Sequence, residues 1–355
     1  MSIGWGVIGA SGIARRRTIP EGLIPAKDAI LAAVMGTSEE RTKAVAKEYD
    51  VKWYLSEQEL LDDKEVQAVY VATPTHLHAQ QTIRALRAGK HVLCEKPMAM
   101  NLKEAEQMIA EAEKHDCKLA IGYMMRFHAW HQKLKQMVDA DELGALVMGR
   151  AQLTCWYPKI EGAWRQDPAL GGGGALADMG SHCIDLLEML LGRTQKVTAF
   201  VDTIVQDYPV EDSSVVLLRC ESGAIGIVEA HFNVPDEASV NMLEIYGSKG
   251  RVEGRGTIGQ VSTGAMTAVL QTDDKEYDAD QQREGTSEVL RLQLQVIEPE
   301  EVVNIYQAEI EDFCEAISHN RKPCVSGEDG LWNLRVLMAA YESSKQGKAV
   351  KMIGG

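Results

Sequence analysis

The chain has 355 residues, of which 45% are hydrophobic and 25% charged, and its formal net charge at pH 7 is −15. This length allows two domains with a buried core, and the composition is typical of a globular protein. Because an acidic surface repels nucleic acid and anionic membranes, we expect neither as a partner. The seven cysteines form no Cys-x-x-Cys pair, and no segment resembles a leader or a membrane span. We therefore expect reduced thiols and a cytoplasmic protein.

The first third of the chain alternates apolar runs with helical patterns. The apolar runs predict strands at residues 3–8, 29–35, 66–72, 90–94 and 118–122. Helical spacing predicts helices from residue 12 and at residues 39–49, 76–88 and 101–115, the last capped by Asn101. Alternation with unbroken apolar strands indicates a parallel sheet covered on both faces. We therefore assign residues 1–122 to an α/β domain with a doubly wound sheet of Rossmann type.

Residues 123–355 follow a different pattern, which predicts an α+β domain for substrate binding and oligomerisation. A glycine-rich turn at residues 171–174 precedes a helix predicted at 175–191. Short runs predict strands at 197–205, 213–220, 224–231, 240–246 and 250–257, with hairpin turns at 221–223 and 247–250. Consecutive hairpins indicate an open, mostly antiparallel sheet. We expect a last helix at residues 329–346 that packs back on the first domain.

The predicted strand 240–246 is apolar on both faces. Val240, Met242 and Tyr246 alternate with Leu243 and Ile245. Because one helix covers only one face, we expect a homodimer or homotetramer in which a second subunit buries the other face. An internal helix over that face is the alternative.

The turn after the first strand has the residues of a dinucleotide-binding loop. Such loops carry Gly-x-Gly-x-x-Gly/Ala between a strand and a helix. Gly9 and Ala14 fit the first and third positions, and Ser11 stands at the second. We expect a pyrophosphate to lie against Gly9 and the backbone amides of Ser11, Gly12 and Ile13, at the positive end of the helix.

The second strand ends without the carboxylate that binds the ribose hydroxyls in NAD-specific folds. The chain has Thr37 and Ser38 there, with Arg41 three residues further on. These side chains can donate hydrogen bonds to a 2′-phosphate or pair with it. The sequence therefore predicts NADP(H) as the preferred cofactor. NAD(H) is also possible, because Arg41 can equally be a solvated helix residue.

Polar residues follow the other strands of the predicted parallel sheet. Thr73-Pro74 and Glu95-Lys96 each follow a strand, and His78 lies at the start of the next helix. Since the carboxyl ends of parallel strands meet at one edge, we expect all five residues to line the cofactor crevice.

Two titratable residues lie four positions apart on the predicted helix 175–191. Asp178 and His182 therefore share a helix face, and Asp185 lies near it. A carboxylate beside an imidazole suits proton transfer near neutral pH. A helix-capping aspartate with a partly buried histidine is the structural alternative.

Several motifs occur together in this chain: residues 9–14, Glu95-Lys96-Pro97, Trp164-Arg165, residues 171–174 and Asp178-x-x-x-His182. The combination resembles the Gfo/Idh/MocA family of oxidoreductases, and the resemblance continues to Tyr306 and residues 327–330. It implies an N-terminal Rossmann domain and a C-terminal domain with an open, largely antiparallel sheet. It also implies hydride transfer between NAD(P) and a secondary alcohol or ketone of a sugar, anhydrosugar or polyol.

The resemblance assigns roles to individual residues. Lys96, Asp178 and His182 match the family's catalytic trio. The turn with Ser11, the stretch 37–41 and Trp164-Arg165 resemble the NADPH-using 1,5-anhydro-D-fructose reductases of the family, which implies that Arg165 contacts the cofactor. Two departures stand out: Thr75 replaces an asparagine of many members, and residues 122–127 differ from those reductases.

The implied chemistry divides among the trio. His182 exchanges a proton with the substrate oxygen, and Lys96 donates a hydrogen bond to the same oxygen. Asp178 orients the polar network by holding either His182 or Lys96. We expect the substrate to be contacted by a further set of residues: Tyr123, Arg126, His128, Tyr157, Trp164 and Asp185.

Four other readings compete with this one. Within the family, the chain could be an NAD(P)-dependent inositol or aldose dehydrogenase, or a glycosidase that uses redox steps. A non-enzymatic regulator that senses a dinucleotide would lack Lys96 or His182, and both are present. A metal-dependent sugar isomerase would need Asp178, His182, Asp185 and His231 as ligands. It leaves the glycine turn without a role, so we expect no metal.

Overall fold

A parallel sheet forms the N-terminal part of the computed structural model, which describes residues 2–271 and 292–352. Its strands are β1 (Ile3–Ile8), β2 (Ala29–Met35), β3 (Lys52–Tyr54), β4 (Ala68–Val71), β5 (His91–Cys94) and β6 (Leu119–Ile121). Their order, β3-β2-β1-β4-β5-β6, is that of a doubly wound dinucleotide fold, with the strand order reversing beside β1. The predicted Rossmann-type sheet is confirmed.

Helices cover both faces of this sheet. A helix of π-type geometry, here called the N-terminal π-helix, spans Ala14–Leu23. It is followed by α1 (Glu39–Tyr49), α2 (Glu57–Asp62), α3 (Thr75–Arg87) and α4 (Leu102–Lys114). As predicted, Asn101 caps α4, its Oδ1 accepting a bond from the Glu104 amide at 3.1 Å. The prediction missed β3 and α2, which are too short for a clear period.

The second sheet is mixed and larger, with the order β14-β13-β12-β11-β7-β10-β9-β8-β15. It contains β7 (Leu146–Thr154), β8 (Thr194–Asp202), β9 (Ser213–Cys220), β10 (Ile225–His231), β11 (Met242–Gly247), β12 (Gly250–Arg255), β13 (Ala265–Gln271), β14 (Leu292–Ile297) and β15 (Val350–Lys351). Among the described strands of this second sheet, only β7 and β10 pair in parallel. The predicted open, mostly antiparallel sheet and both hairpin turns are confirmed, but the prediction missed the central strand β7.

The helices of this part are α5 (Ala129–Asp139), the single turn α6 (Pro168–Gly171), α7 (Ser181–Leu191), α8 (Ile305–Ser318) and α9 (Gly327–Gln346). A π-type turn, Leu176–Gly180, leads directly into α7. Short 3-10 turns lie at Met124–Phe127, Trp164–Gln166 and Asp236–Ala238. In the described part of the chain, no helix is long and apolar enough to cross a membrane.

Each face of the second sheet has a different environment. The inner face packs on α7, with Gly149 of β7 against Leu187 and Leu191. The outer face keeps exposed apolar side chains: Phe200 is 79% exposed and Leu294 is 70% exposed. This outer face is the one that the sequence predicts to meet a second subunit.

The last two helices join the C-terminal part to the parallel sheet. Helix α8 packs on the N-terminal π-helix. The ring of its Phe313 also lies 5.5 Å from the ring of Trp5 in β1. Helix α9 begins with a capping box between Ser326 and Asp329 and packs on α4, β6 and β8. It therefore contacts both sheets and holds them in one relative position.

Candidate active site

The turn after β1 has the shape that a bound dinucleotide requires. Gly9 adopts a φ of 93°, and a Cβ there would lie 2.9 Å from the carbonyl of Ala72, so only glycine fits. The amides of Gly9 and Ala10 both donate to the Met35 carbonyl at 3.0 Å, which joins the ends of β1 and β2. Gly12 and Ile13 form the helical start that continues into the N-terminal π-helix, and the first turn of a helix is the usual site for a phosphate.

A cavity of about 900 Å³ runs from this turn to the second sheet. Its volume is in the range of small-molecule and cofactor sites. All the residues predicted to bind cofactor line it: Gly9, Ser11, Gly12, Ile13, Thr37, Ser38, Arg41, Thr73, Pro74, His78, Glu95, Lys96 and Arg165. The predicted catalytic residues Asp178 and His182 line the same cavity. The residues present therefore fit a dinucleotide of the NAD(P) type.

Two arginines lie at the end of the cavity formed by β1 and β2. Ser38 caps α1 and accepts a bond from the Arg41 backbone amide at 3.5 Å. The Arg41 side chain is exposed. Arg16 also lines this end and donates to the Gly12 carbonyl at 3.2 Å. The lining carboxylate Glu57 already accepts bonds from Gln81 at 2.6 Å and from Arg84 at 2.8 Å.

His78 fixes the loops around the cavity. Its Nδ1 lies 2.9 Å from the Pro97 carbonyl and its Nε2 lies 2.8 Å from the Thr73 carbonyl. Burial lowers the pKa of His78 to about 4, so the ring is neutral and can donate to only one of the two carbonyls. The side chain lines the cavity, but its nitrogens face the backbone of the two strand ends.

Lys96 and Asp178 form an ion pair between the two domains. The Lys96 Nζ donates to Asp178 Oδ1 at 2.7 Å and to the Asp178 carbonyl at 2.6 Å. Arg165 Nε lies 3.4 Å from the same Oδ1. Burial by itself would raise the pKa of Asp178, but the charges of Lys96 and Arg165 outweigh it and hold that pKa well below its usual range. Asp178 is therefore a carboxylate that organises two cations.

His182 is a neutral imidazole beside this pair. Burial, and then the positive charge of Lys96, lower its pKa well below the usual value for histidine. Its Nδ1 is buried and has no hydrogen-bond partner among the described residues. Since the side chain lines the cavity, Nε2 is the nitrogen available to a bound molecule.

Glu95 extends the polar site toward the first sheet. Its Oε1 accepts a hydrogen bond from the Tyr70 hydroxyl, which lies 2.9 Å from the Thr18 hydroxyl. Burial raises the pKa of Glu95, although Tyr70 and Lys96 oppose that effect. This carboxyl group lies on the cavity wall next to Lys96.

The predicted substrate contacts are only partly brought to the cavity. Tyr157 and Trp164 line it, and Trp164 stacks on the Arg165 guanidinium at 4.3 Å. Tyr123, Arg126, His128 and Asp185 are not among its lining residues in the described chain.

Each of these four side chains has a partner elsewhere. Arg126 and Asp185 form a buried bidentate pair at 2.8 and 2.7 Å. His128 faces the Thr263 carbonyl at 3.2 Å, and the Tyr123 hydroxyl donates to Asn333 at 2.8 Å.

The metal-isomerase reading required Asp185 beside Asp178 and His182. In residues 2–271 and 292–352, no three His, Cys, Asp or Glu side chains are grouped as metal ligands.

The sequence analysis missed one wall of the cavity, which belongs to the second domain. It is formed by Thr154, Cys155, Phe232, Asp236, Ser239, Asn241 and Gln260. Asn241 has a φ of 51°, and its Oδ1 accepts from the Thr154 amide at 2.8 Å. The alternating pattern of residues 146–154 was the available signal for β7. The irregular segment 236–241 has no pattern that would have revealed it.

Family models match both parts of the chain. The model described as "Oxidoreductase family, NAD-binding Rossmann fold" matches residues 3–123, and the model of the "GFO/IDH/MocA C-terminal domain" matches residues 131–253. A 1,5-anhydro-D-fructose reductase of Ensifer adhaerens is 30% identical over 354 residues, 99% of each chain. The chain belongs to the Gfo/Idh/MocA family. The predicted NAD(P)-dependent oxidoreductase acting on CH–OH groups is thereby confirmed.

Other members of the family are similar over their whole lengths. A myo-inositol 2-dehydrogenase of Thermotoga maritima is 29% identical, with 97% of this chain and 98% of the other covered. A D-xylose 1-dehydrogenase (NADP(+)) of Haloferax volcanii is 28% identical, with 98% and 99% covered. Among solved structures, the aldose-aldose oxidoreductase of Caulobacter crescentus has a TM-score of 0.87 at 29% identity, covering 99% and 100% of the two chains.

Proposed function

We propose that this protein is an NADP(H)-preferring oxidoreductase that interconverts a secondary alcohol and a ketone on a sugar, anhydrosugar or polyol. The observation that carries the proposal is the Lys96–Asp178 pair beside His182, in the same cavity as the nucleotide turn. A cation, a carboxylate and a neutral imidazole meet there at the boundary between the two domains.

The proposed chemistry divides between cofactor and protein. A bound nicotinamide supplies the hydride chemistry, and the protein supplies position and electric field. Two N–H groups of the Lys96 ammonium donate to Asp178, one to its side-chain carboxylate and one to its backbone carbonyl. The third N–H of Lys96 is left for the substrate oxygen, where it stabilises developing negative charge in a dry site.

His182 exchanges the proton. In the oxidative direction the neutral ring accepts it at Nε2 from the substrate hydroxyl, and in the reductive direction the protonated ring returns it. The lowered pKa of His182 keeps the ring neutral in the free protein, which suits acceptance from an alcohol.

The preference for NADP(H) is proposed from the charges at the β1–β2 end of the cavity. Arg41 and Arg16 line this end with the hydroxyls of Thr37 and Ser38. Glu57, a carboxylate in the same lining, forms an ion pair with Arg84 and accepts a hydrogen bond from Gln81. A 2′-phosphate therefore meets two cations here.

The sugar or polyol is proposed to lie between the trio and the second-domain wall. Asp236 and Asn241 offer polar groups that face the cavity beside Tyr157 and Phe232. Such a mixture of amide, carboxylate and aromatic groups suits a ring with several hydroxyls. The relatives named above act on substrates of this kind, which supports the same class here.

The testing experiment is a matched substrate screen followed by the absorbance of the reduced nicotinamide. Ketoses, anhydroketoses, inososes and aldoses are offered with NADPH, and the corresponding alcohols with NADP⁺; each reaction is repeated with NADH or NAD⁺. We expect turnover on at least one sugar or polyol with a lower KM for the phosphorylated cofactor. Tighter use of NAD(H), or turnover of an inositol or aldose only, would favour the dehydrogenase alternatives. If both cofactors bind but no substrate is turned over, the result would favour a dinucleotide sensor.

We propose that two or four copies assemble through the outer face of the second sheet. This face has an apolar surface that water would contact in a monomer. It is formed by Phe200, Leu217, Leu294 and Val296. Light scattering should give a dimer or tetramer for the native protein and a smaller species for Phe200→Glu. A native monomer contradicts this proposal without affecting the enzymatic one.

A further inference from the structure

The His182 ring lacks the hydrogen bond that usually orients a catalytic imidazole. Such rings commonly donate from the nitrogen that faces away from the substrate, and this bond fixes the angle of the ring. In the described residues, His182 Nδ1 has no such partner, although it is buried. Packing must therefore set the direction in which Nε2 points.

Tyr123 provides that packing. The rings of Tyr123 and His182 lie 5.6 Å apart at 89°, an edge-to-face contact. Such edge-to-face contacts favour one ring angle over others. Tyr123 is 1% exposed, so its ring has little room to move.

Asn333 of helix α9 fixes Tyr123 relative to His182. Its Oδ1 accepts from the Tyr123 hydroxyl at 2.8 Å, and its Nδ2 donates to the Ser181 carbonyl at 2.9 Å. Ser181 directly precedes His182, so one amide group holds both the tyrosine ring and the backbone that carries the histidine. Asn333 and Ser181 are both buried, which makes either lost bond costly.

We propose that Tyr123 and Asn333 are positioning residues that set the angle of the His182 imidazole toward the substrate. The proposal rests on the proposed function, in which His182 exchanges a proton with the substrate. It also gives Tyr123 a different role from the substrate contact expected from the sequence. Because misplacement of a reacting group by about 1 Å can cost a hundredfold in rate, loosening this ring affects turnover more than binding.

The test is a set of conservative variants. Tyr123→Phe keeps the ring and removes its bond to Asn333, and Asn333→Ala removes both bonds. Tyr54→Phe is the control, because it also loses a tyrosine hydrogen bond, to Asp63 at 3.1 Å, and Tyr54 lies on the edge strand β3 outside the cavity lining. We measure kcat, KM, NADPH affinity and the melting temperature for each.

We expect kcat to fall about ten- to a hundredfold in Tyr123→Phe, with KM and NADPH affinity nearly unchanged. In Tyr54→Phe, kcat should stay native. In a His182→Asn background, Tyr123→Phe should have no further effect on the residual kcat, since the ring to be positioned is gone. The double variant of Tyr123→Phe and Asn333→Ala should have a kcat no lower than that of Asn333→Ala alone.

A native kcat in Tyr123→Phe, or an equal loss in the His182→Asn background, overturns the positioning role. If Asn333→Ala fails to fold, Tyr123→Phe and its combination with His182→Asn still decide the matter. Full activity of His182→Asn would instead overturn the proton-exchange role in the proposed function. The two failures are therefore distinguishable.

Discussion

The Lys96–Asp178 pair gives the most demanding prediction, because the same contact affects both stability and rate. Lys96→Met removes the ammonium and keeps much of its apolar volume. Asp178→Asn removes the carboxylate charge and keeps the backbone carbonyl that lies 2.6 Å from Lys96 Nζ. The two variants and their combination form a double-mutant cycle that isolates the pair.

The magnitude follows from the geometry. Two unit charges 2.7 Å apart attract by about 6 kcal/mol at an effective dielectric constant of about 20. Desolvation offsets much of this attraction, and loss of one partner from a buried pair costs about 3–5 kcal/mol. Arg165 remains beside Asp178 in Lys96→Met, and the Asp178 side chain is 27% exposed, so we expect a destabilisation of about 3 kcal/mol. The coupling energy should be about 2 kcal/mol.

Turnover should fall further than stability suggests. In the proposed mechanism, Lys96 donates to an oxygen on which charge develops, and removal of such a donor typically costs about 10²–10³-fold in kcat. Urea unfolding gives the cycle energies, and the absorbance of the reduced nicotinamide gives kcat. The exposed pair Lys159–Asp207, at 3.1 Å, is the control, with an expected coupling below about 1 kcal/mol. Additive energies at Lys96 and Asp178, or more than a tenth of native turnover in Lys96→Met, would refute the reasoning.

Three further predictions concern single side chains. Arg41→Ala should raise the KM for NADPH by about 10-fold or more and leave that for NADH unchanged, since one charge-assisted bond is lost; equal changes for both cofactors contradict the phosphate contact. Burial lowers the pKa of His131 to about 3, so between that pH and about pH 6.5 only the unfolded chain binds this proton. The free energy of unfolding therefore falls by up to about 1.4 kcal/mol for each pH unit as the pH is lowered. Urea titrations should show that His131→Phe loses this slope, whereas His319→Asn, at an exposed position, keeps it. Burial and the nearby charge of Glu95 raise the pKa of Glu309, so the native state holds a proton that the unfolded chain releases. Glu309→Gln should therefore be more stable than the native protein at about pH 8, by a margin that shrinks toward about pH 5; a margin independent of pH contradicts a protonated Glu309.

Local sequence patterns were enough for the elements and site residues that depend on local chemistry. Strands β1 and β2 and helix α1 have the predicted bounds because apolar runs and a serine cap mark them. Gly9 could be predicted because its backbone conformation excludes other residues. The spacing of Asp178 and His182 placed them on one helical face, and both line the cavity.

The remaining features depend on contacts between distant segments. Arg126 was predicted to meet substrate, but it is neutralised by Asp185, 59 residues away. The cavity wall that contains Asn241 is built by an irregular segment whose shape follows from its bonds to β7. The role of Asn333 depends on partners 210 and 152 residues away, Tyr123 and Ser181. No periodic pattern encodes such partners.

Helices α8 and α9 have a consequence for how this protein can be divided. They follow β14 in the sequence, yet α8 covers the N-terminal π-helix, and α9 packs on α4 and β6 as well as on β8. A fragment that stops after β6 would expose the surfaces around Trp5 and Ile121, which are buried here. The parallel sheet therefore depends on both helices for its cover, and α9 covers the second sheet as well. Recombination between relatives that separates either helix from the parallel sheet should expose apolar surface on the N-terminal part.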